Sequence, residues 1–509
     1  MRLTRLFHLP LKPWSVVCTL KQNHVMELKN GALLQTQSFI NNKWVSARSG
    51  KTFKVLNPFN GAVVANVAEC TAAEAELAIK AAHTAFPVWK NKTAKERGAL
   101  MRKWYDLVMA NADDLALLMT TEQGKPVAEA KGEIVYGASF IEWFAEEARR
   151  IYGEVIPTPL NDRRIITIRQ PIGVVGAITP WNFPVSMITR KISPAIAAGC
   201  TVVIKPASQT PLSALALAYL AAEAGIPEGV INVITSTDAA GIGETLTTHP
   251  LVMKISFTGS TKIGKLLMQQ SAATVKKVSL ELGGNAPLIV FNDADVDVAV
   301  KGSIASKYRN AGQTCVCANR IFVQDKIYTS FIKKYKKAVS ALKVGDGTDA
   351  GVQIGPLIDM DAVKKVKRLI KDAVKKGGII TVGGANHQFG KLFFQPTVIE
   401  DCNRNMALFN EEIFGPVSAI YKFTSDEQAI ELANDTEYGL AAYFFTQNLK
   451  RAWHIAEALD YGIVGINEGI VSHAEAPFGG MKESGIGREG SRHGLEEYVE
   501  VKYLCMGSL

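Results

Sequence analysis

The sequence predicts an α/β protein in which a doubly wound parallel sheet is followed by a second α/β domain. Five short β-branched runs, at 173–179, 201–205, 229–235, 254–258 and 278–282, recur every 24 to 28 residues with helical stretches between them. Parallel strands need a crossover of a dozen or more residues, usually a helix, so this spacing is that of βα units wound into one open sheet. A second alternation follows, with strands near 286–291, 320–323, 378–382 and 415–423 and helices at 293–309 and 326–342. The 509 residues, 47% apolar and 21% charged, exceed what one core holds, which implies two or three domains.

The part before the first sheet is helical. Thr71 with Glu74, and Thr93 with Glu96, set a hydroxyl and a carboxylate three residues apart, so that each satisfies a free backbone N–H at a helix start. The first helix is expected to run through Phe86 and the second past Leu118. Near the C-terminus Gly479, Gly480, Gly485, Gly487 and Gly490 precede an alternating strand at 498–504. With no obvious partner in the chain, that strand is a candidate for extending a sheet between subunits.

Charge and cysteines exclude several classes. Of the formal charge of +9, Arg2, Arg5, Lys12 and Lys21 lie in the first 25 residues, which hold no acid, leaving 9 − 4 = +5 for the rest. The other cations are interleaved with acids, as Lys364 and Lys365 are after Asp361, and read as solvated helix faces rather than a nucleic-acid surface. Residues 1–25 read as an extension ahead of a true start at Met26, with a transit peptide as the alternative. Seven scattered cysteines argue for a reducing compartment. No run approaches a membrane span, and no His/Cys/Asp spacing fits a metal-ligand set.

Cys315 follows the small, flexible Asn310-Ala311-Gly312 loop at the end of a helix pattern, a placement that presents a reactive thiol. Glu281 and Asn182 stand upstream as a candidate general base and a candidate oxyanion donor. Each has an ordinary alternative: an inert buried cysteine, a glutamate paired with Lys276 or Lys277, an asparagine capping a helix. Gly485-Ile486-Gly487-Arg488-Glu489-Gly490 matches the dinucleotide fingerprint but follows a turn rather than a strand. The turn Gly259-Ser260-Thr261, which a strand enters and a helix pattern through Ile263, Gly264 and Leu267 leaves, suits a pyrophosphate better; it also suits an ordinary N-cap. Lys205, at the end of the 201–205 strand, sits on the edge where open α/β sheets bind ligands, or is a solvated strand end.

Seven motifs in order resemble the aldehyde dehydrogenase superfamily from about Ser38 to Leu509: Pro180-Trp181-Asn182-Phe183-Pro184, Lys205-Pro206-Ala207, Gly259-Ser260-Thr261, Leu280-Glu281-Leu282-Gly283-Gly284, Gly312-Gln313-Thr314-Cys315, Glu412-Ile413-Phe414-Gly415-Pro416 and Pro477-Phe478-Gly479-Gly480. Within it, 310–320, Thr189-Arg190-Lys191 and 140–147 resemble the bacterial-type, NADP-preferring enzymes of succinate semialdehyde. The resemblance implies a coenzyme domain (26–147 and 168–283), a catalytic domain (284–480) and a small β oligomerisation flap (148–167 and 481–509), assembled as a homotetramer, a dimer of dimers. It implies coenzyme contacts from Thr179, Trp181, Lys205, Ser208, Gly259, Ser260, Thr261, Gly264, Leu282, Glu412 and Phe414. It also implies an aldehyde substrate and a role in 4-aminobutyrate degradation; the cysteine usage and the acid-free N-terminal segment point to a cytoplasmic location, or the mitochondrial matrix if residues 1–25 are a transit peptide.

On this reading the Cys315 thiolate attacks the carbonyl, Asn182 and the Cys315 N–H hold the oxyanion, and Glu281 deprotonates the water that hydrolyses the thioester. Arg190, Arg309 and Ser472 would bind the distal carboxylate, since a guanidinium takes a carboxylate bidentately. Either arginine is otherwise a surface charge, and glutarate semialdehyde is the alternative substrate. A carboxylate at 208 would repel a 2′-phosphate; Ser208 beside Lys205 tolerates it, so NADP is expected to be preferred, with NAD also used. Cys317 is a redox candidate: in an extended segment it would lie about 6.6 Å from Cys315 on the same face, so a disulfide would need the loop to bend. The ordinary alternative is that it packs under the loop. A coenzyme-free cysteine hydrolase would need an activating histidine, and only His473 and His493 lie near glycine-rich loops.

Overall fold

The computed structural model describes residues 26–508. The extension read at 1–25 lies outside them. Both capping boxes form: Thr71 and Glu74 start the helix Ala72–Lys90, and Thr93 and Glu96 start Ala94–Ala110. The first helix continues past Phe86 to Lys90. The second stops short of the expected end, and a separate helix, Ala112–Gln123, carries the chain on. Asn111 makes the break: its amide donates to Leu107 O at 2.8 Å and accepts from Asn30 at 3.0 Å, drawing the backbone out of the helical path.

The first sheet has eight strands, ordered Lys43–Val45, Ser38–Ile40, Ile231–Val233, Thr201–Lys205, Val174–Ile178, Val252–Thr258, Lys277–Glu281 and Gly485–Ile486. The five expected strands form its parallel centre. Their order reverses between Val174–Ile178 and Val252–Thr258, so a crevice opens beyond the carboxyl ends of those two strands. Thr179, Trp181 and Gly259 follow those ends directly. The edges are antiparallel additions that periodicity did not announce. Helices cover both faces, and Trp89 and Trp104, fully buried, donate their indole N–H to Ile196 O and Leu217 O at 3.1 Å.

The second sheet has seven strands, ordered Ile379–Val382, Thr397–Glu400, Val417–Phe423, Ala318–Gln324, Ala286–Val290, Ala441–Phe445 and Ile463–Ile466. Thr397–Glu400, Ala441–Phe445 and Ile463–Ile466 were not foreseen; they are short, and lie among loops without clean alternation. Only Leu282–Asn285 separates the last long strand of the first sheet from Ala286–Val290 of the second. Both sheets therefore meet at the segment that follows Glu281.

The expectation that the C-terminal strand lacks a partner is overturned. Val499–Gly507 pairs antiparallel with Arg163–Pro171 over its whole length, and Glu154–Ile156 completes a three-stranded sheet. Arg163–Pro171 ends beyond the flap boundary read at 167, and Gly485–Ile486, read as flap, belongs to the first sheet. The three-stranded sheet still exposes Val155, Val501, Tyr503 and Met506.

Candidate active site

Cys315 is carried by a loop held in an uncommon backbone conformation. After the helix Val296–Tyr308, Asn310 (φ 51°), Ala311 (φ 54°) and Gly312 (φ 75°) are all left-handed. A non-glycine residue there costs about 1–2 kcal/mol, so the surroundings must impose it. Asn310 gives its backbone N–H to Glu129 at 2.8 Å and its side-chain N–H to Asn182 O at 3.0 Å, and accepts from Gln123 at 3.0 Å. At Gly312 a Cβ would lie 2.2 Å from Gly415 O, which only glycine avoids. Cys315 emerges half-buried from this brace. Burial pushes its thiol up to about 12, while Arg190 opposes the rise.

Asn182 is buried, does not cap the helix Ser186–Ala198, and donates its side-chain N–H to Gln313 O at 3.1 Å, two residues before the thiol. An amide nitrogen carries two protons, so one remains for an oxyanion. Glu281 ends the strand Lys277–Glu281, buried, with one oxygen lacking a partner among the described residues. Its expected alternatives are otherwise engaged: Lys276 bonds His249 O and Val252 O, and Lys277 pairs with Glu500. Burial and the nearby Glu489 raise the Glu281 carboxyl well above the usual range, against the pull of Arg190 and Lys191. A Cβ at Gly284 would lie 2.3 Å from Cys315 O, so the linker after Glu281 rests on the nucleophile's own backbone.

The two arginines differ. Arg309 is half-buried, has no carboxylate partner among the described residues, and lies with its guanidinium 5.3 Å from the Phe183 ring centroid. Arg190 is fully buried and forms an ion pair with Glu489, with its guanidinium 4.0 Å from the Phe478 ring centroid. The expectation that Arg190 is given over to substrate is therefore corrected in part: its Nε pairs with the internal carboxylate of Glu489 and its Nη2 contacts Met187 Sδ at 3.1 Å. Lys191 pairs with the same Glu489 at 2.5 Å. Glu489 carries no signal inside the glycine-rich 485–490 run, because nothing in sequence links it to residues almost 300 positions earlier. Ser472 is half-buried on the loop after Ile463–Ile466 and bonds to neither arginine.

The crevice fits a dinucleotide by its unspent groups. Lys205 is buried without a bond or ion pair among the described residues, and burial lowers its pKa. Ser260 occupies the N-cap of Thr261–Ser271 but makes no capping bond, which leaves its hydroxyl and the helix amides to a phosphate. Among the described residues, Thr179 Oγ1 is buried and unpartnered, and Ser208 Oγ has only a 3.4 Å contact with Gln209. At Gly259 a Cβ would stand 2.3 Å from the Phe257 ring; at Gly264 it would stand 2.4 Å from Leu282, so Gly264 serves close packing of helix on strand. Trp181 and Phe414 meet edge to face at 5.7 Å. Glu412 accepts from Gly284 N at 3.2 Å, and burial raises its carboxyl to about 7. A cavity of about 910 Å³ is lined by Ser260, Thr261, Gly283, Glu412 and Tyr438.

The Thr314–Cys317 segment is a turn closed by Cys317 N–H to Thr314 O at 3.1 Å, so the extended spacing assumed for the cysteine pair does not hold. Cys317 is buried beneath the loop, its thiol donating to Lys307 O at 3.6 Å.

A model of the aldehyde dehydrogenase family matches residues 44–504. The chain is 57% identical to the NADP(+) succinate-semialdehyde dehydrogenase of Escherichia coli K12 over 482 residues, covering 95% of this chain and 100% of the relative. It is 56% identical over 485 residues to a 3-sulfolactaldehyde dehydrogenase of Pseudomonas putida and 55% identical over 484 residues to a glutarate-semialdehyde dehydrogenase of Pseudomonas aeruginosa, each match covering 95% of this chain and 100% of the relative. A crystal structure described as an NADP-dependent enzyme of E. coli superposes with a TM-score of 0.94 at 57% identity, over 94% of this chain and 100% of that one.

Proposed function

The chain belongs to the aldehyde dehydrogenase family, and from that premise we propose that it oxidises succinate semialdehyde to succinate, with NADP preferred and NAD also accepted. The observation that carries the substrate is Arg309, a half-buried guanidinium beside the nucleophile loop with no carboxylate partner among the described residues. A fork left unpaired in such a place is matched by a substrate carboxylate. Relatives of near-equal identity named for succinate, glutarate and 3-sulfolactaldehyde substrates support a distal anion as the shared feature.

The chemistry follows from the residues. The Cys315 thiol passes its proton to water and, as the thiolate, adds to the aldehyde carbonyl, forming a thiohemiacetal oxyanion. The second Asn182 N–H and the Cys315 N–H receive the oxyanion. Bound in the crevice, the nicotinamide coenzyme supplies the hydride acceptor. Loss of hydride from the thiohemiacetal carbon to that acceptor leaves a Cys315 thioester; Glu281, whose raised carboxyl makes it a stronger base than a free glutamate, takes a proton from water, the resulting hydroxide adds to the thioester carbonyl, and the Cys315 thiolate leaves. Lys205, Ser208, Ser260 and Thr261 would hold the adenosine and phosphate end of the coenzyme, and Trp181, Leu282, Glu412 and Phe414 would contact the remainder.

Glutarate semialdehyde is the second reading, one methylene longer and of the same charge. We further assign assembly as a dimer of dimers, supported by the apolar residues exposed on the three-stranded sheet, and a cytoplasmic location, or the mitochondrial matrix if residues 1–25 act as a transit peptide. Steady-state kinetics on succinate, glutarate and uncharged aldehydes with both coenzymes tests the proposal: it stands if kcat/KM is greatest for succinate semialdehyde with NADP, and fails if uncharged aldehydes are oxidised as well.

A further inference from the structure

We propose that Lys125, in the loop before the helix Val127–Glu147, is a positioning residue for acylation, aligning the oxyanion donor Asn182 and the Arg309 guanidinium together. Lys125 is buried and its ammonium has three engagements. It pairs with the buried carboxylate of Glu133, donates to Asn182 O at 2.8 Å, and lies 3.9 Å from the Phe183 ring centroid. The same ring supports Arg309 at 5.3 Å. One ammonium is thus bonded to the backbone of the oxyanion donor and packed on the ring that carries the substrate cation.

The rest of the network fixes that ammonium from several elements. Lys125 N–H donates to Gln123 Oε1 at 2.9 Å, and Gln123 holds Asn310, which bonds Asn182 O from the nucleophile's side. The other oxygen of Glu133 accepts from Val185 and Ser186 N–H at 2.9 and 3.2 Å, at the start of the helix that carries Arg190 and Lys191. Asn182 O therefore accepts one bond from the Lys125 loop and one from the Cys315 loop. The arrangement sets the distance between the oxyanion amide and the sulfur.

Stability does not explain the pair. Burying an ammonium and a carboxylate carries a desolvation cost that their attraction roughly offsets, and apolar replacements of similar volume are often no worse. Geometry does explain it. Reacting groups must be held to a fraction of an ångström, and a misplacement of about 1 Å can cost a hundredfold in rate. Losing Lys125 would free Asn182, which serves every aldehyde, and would shift Phe183 under Arg309, which serves only those bearing a carboxylate.

The inference uses the proposed substrate only for its Arg309 half, and the test separates the two. The full-length variants Lys125→Met and Lys125→Met/Glu133→Gln are compared with the parent; the double variant removes both charges, so neither is left buried alone, and keeps an acceptor for Val185 and Ser186. Measurements are the pre-steady-state burst rate with succinate semialdehyde and with an uncharged aldehyde of similar length, the Kd for NADP, and the melting temperature. The expected result is a burst rate lower by about tenfold to a hundredfold with the uncharged aldehyde, a larger fall with succinate semialdehyde, and a coenzyme Kd within about twofold of the parent. A folded variant that acylates both aldehydes at the parental rate overturns the proposal, as does one whose loss lies wholly in coenzyme binding. If the parent shows no preference for the carboxylated aldehyde, the substrate reading fails while the uncharged arm still decides the role of Lys125.

Discussion

Arg309→Leu separates substrate charge from general catalysis. Leucine keeps part of the packing on Phe183 and removes the guanidinium, which has no internal carboxylate to leave stranded among the described residues. A charge-assisted hydrogen bond is worth about 1.5–3 kcal/mol, and each 1.36 kcal/mol is about tenfold in rate. kcat/KM for succinate semialdehyde should therefore fall by about ten- to a hundredfold or slightly more, while an uncharged aldehyde of the same length changes by less than about threefold. Arg309→Lys should not restore it fully, because a single ammonium cannot reproduce the fork. Arg190 behaves differently. Arg190→Leu leaves Glu489 with Lys191 alone, and breaking a buried pair costs about 3–5 kcal/mol, so its first effect is a lower melting temperature. Initial rates across an aldehyde series, with thermal melts of both variants, test this. Equal losses on charged and uncharged substrates for Arg309→Leu would refute the carboxylate assignment; unchanged stability for Arg190→Leu would refute the internal pair.

Other expectations follow from the same geometry. Cys315→Ala should abolish turnover and leave NADP binding intact by fluorescence titration, because no crevice residue depends on the sulfur; residual turnover near the parental rate would remove Cys315 as nucleophile. Glu281→Gln should keep the burst of reduced coenzyme and slow the steady state by about 10²–10⁴-fold. Since the Glu281 carboxyl is raised, it is protonated and inactive as a base below its pKa, so the parental steady-state rate should climb with pH through that value and level off above it, and this limb should be missing in the variant. Ser208→Glu should shift preference from NADP toward NAD by repelling the 2′-phosphate; an unchanged ratio of kcat/KM for the two coenzymes would exclude Ser208 from that contact. Peroxide should inactivate by oxidising Cys315 alone, one thiol and one peroxide giving a sulfenic acid and one water, because Cys317 is buried beneath the loop with its thiol on Lys307 O; a Cys315–Cys317 disulfide reversed by dithiothreitol, seen by mass spectrometry, would refute that packing role.

Local features were legible in the sequence because their causes are local. The capping boxes at Thr71 and Thr93, the five-strand parallel centre, the strand-to-helix turn at Gly259 and the thiol-bearing loop at Cys315 each depend on residues a few positions apart, through hydrogen bonds to nearby amides, βα spacing or glycine's conformational freedom. The order of motifs along the chain marks Asn182, Glu281 and Cys315 as one set. Pairing across the chain was decided by tertiary structure alone. Arg190 and Glu489 are ion-paired from positions almost 300 residues apart, Val499–Gly507 finds Arg163–Pro171, and Lys125 reaches Asn182 through a buried network. A charged residue reads the same in sequence whether it meets solvent, a substrate or another buried charge. What separates Arg309 from Arg190 is the carboxylate the fold brings to one and withholds from the other.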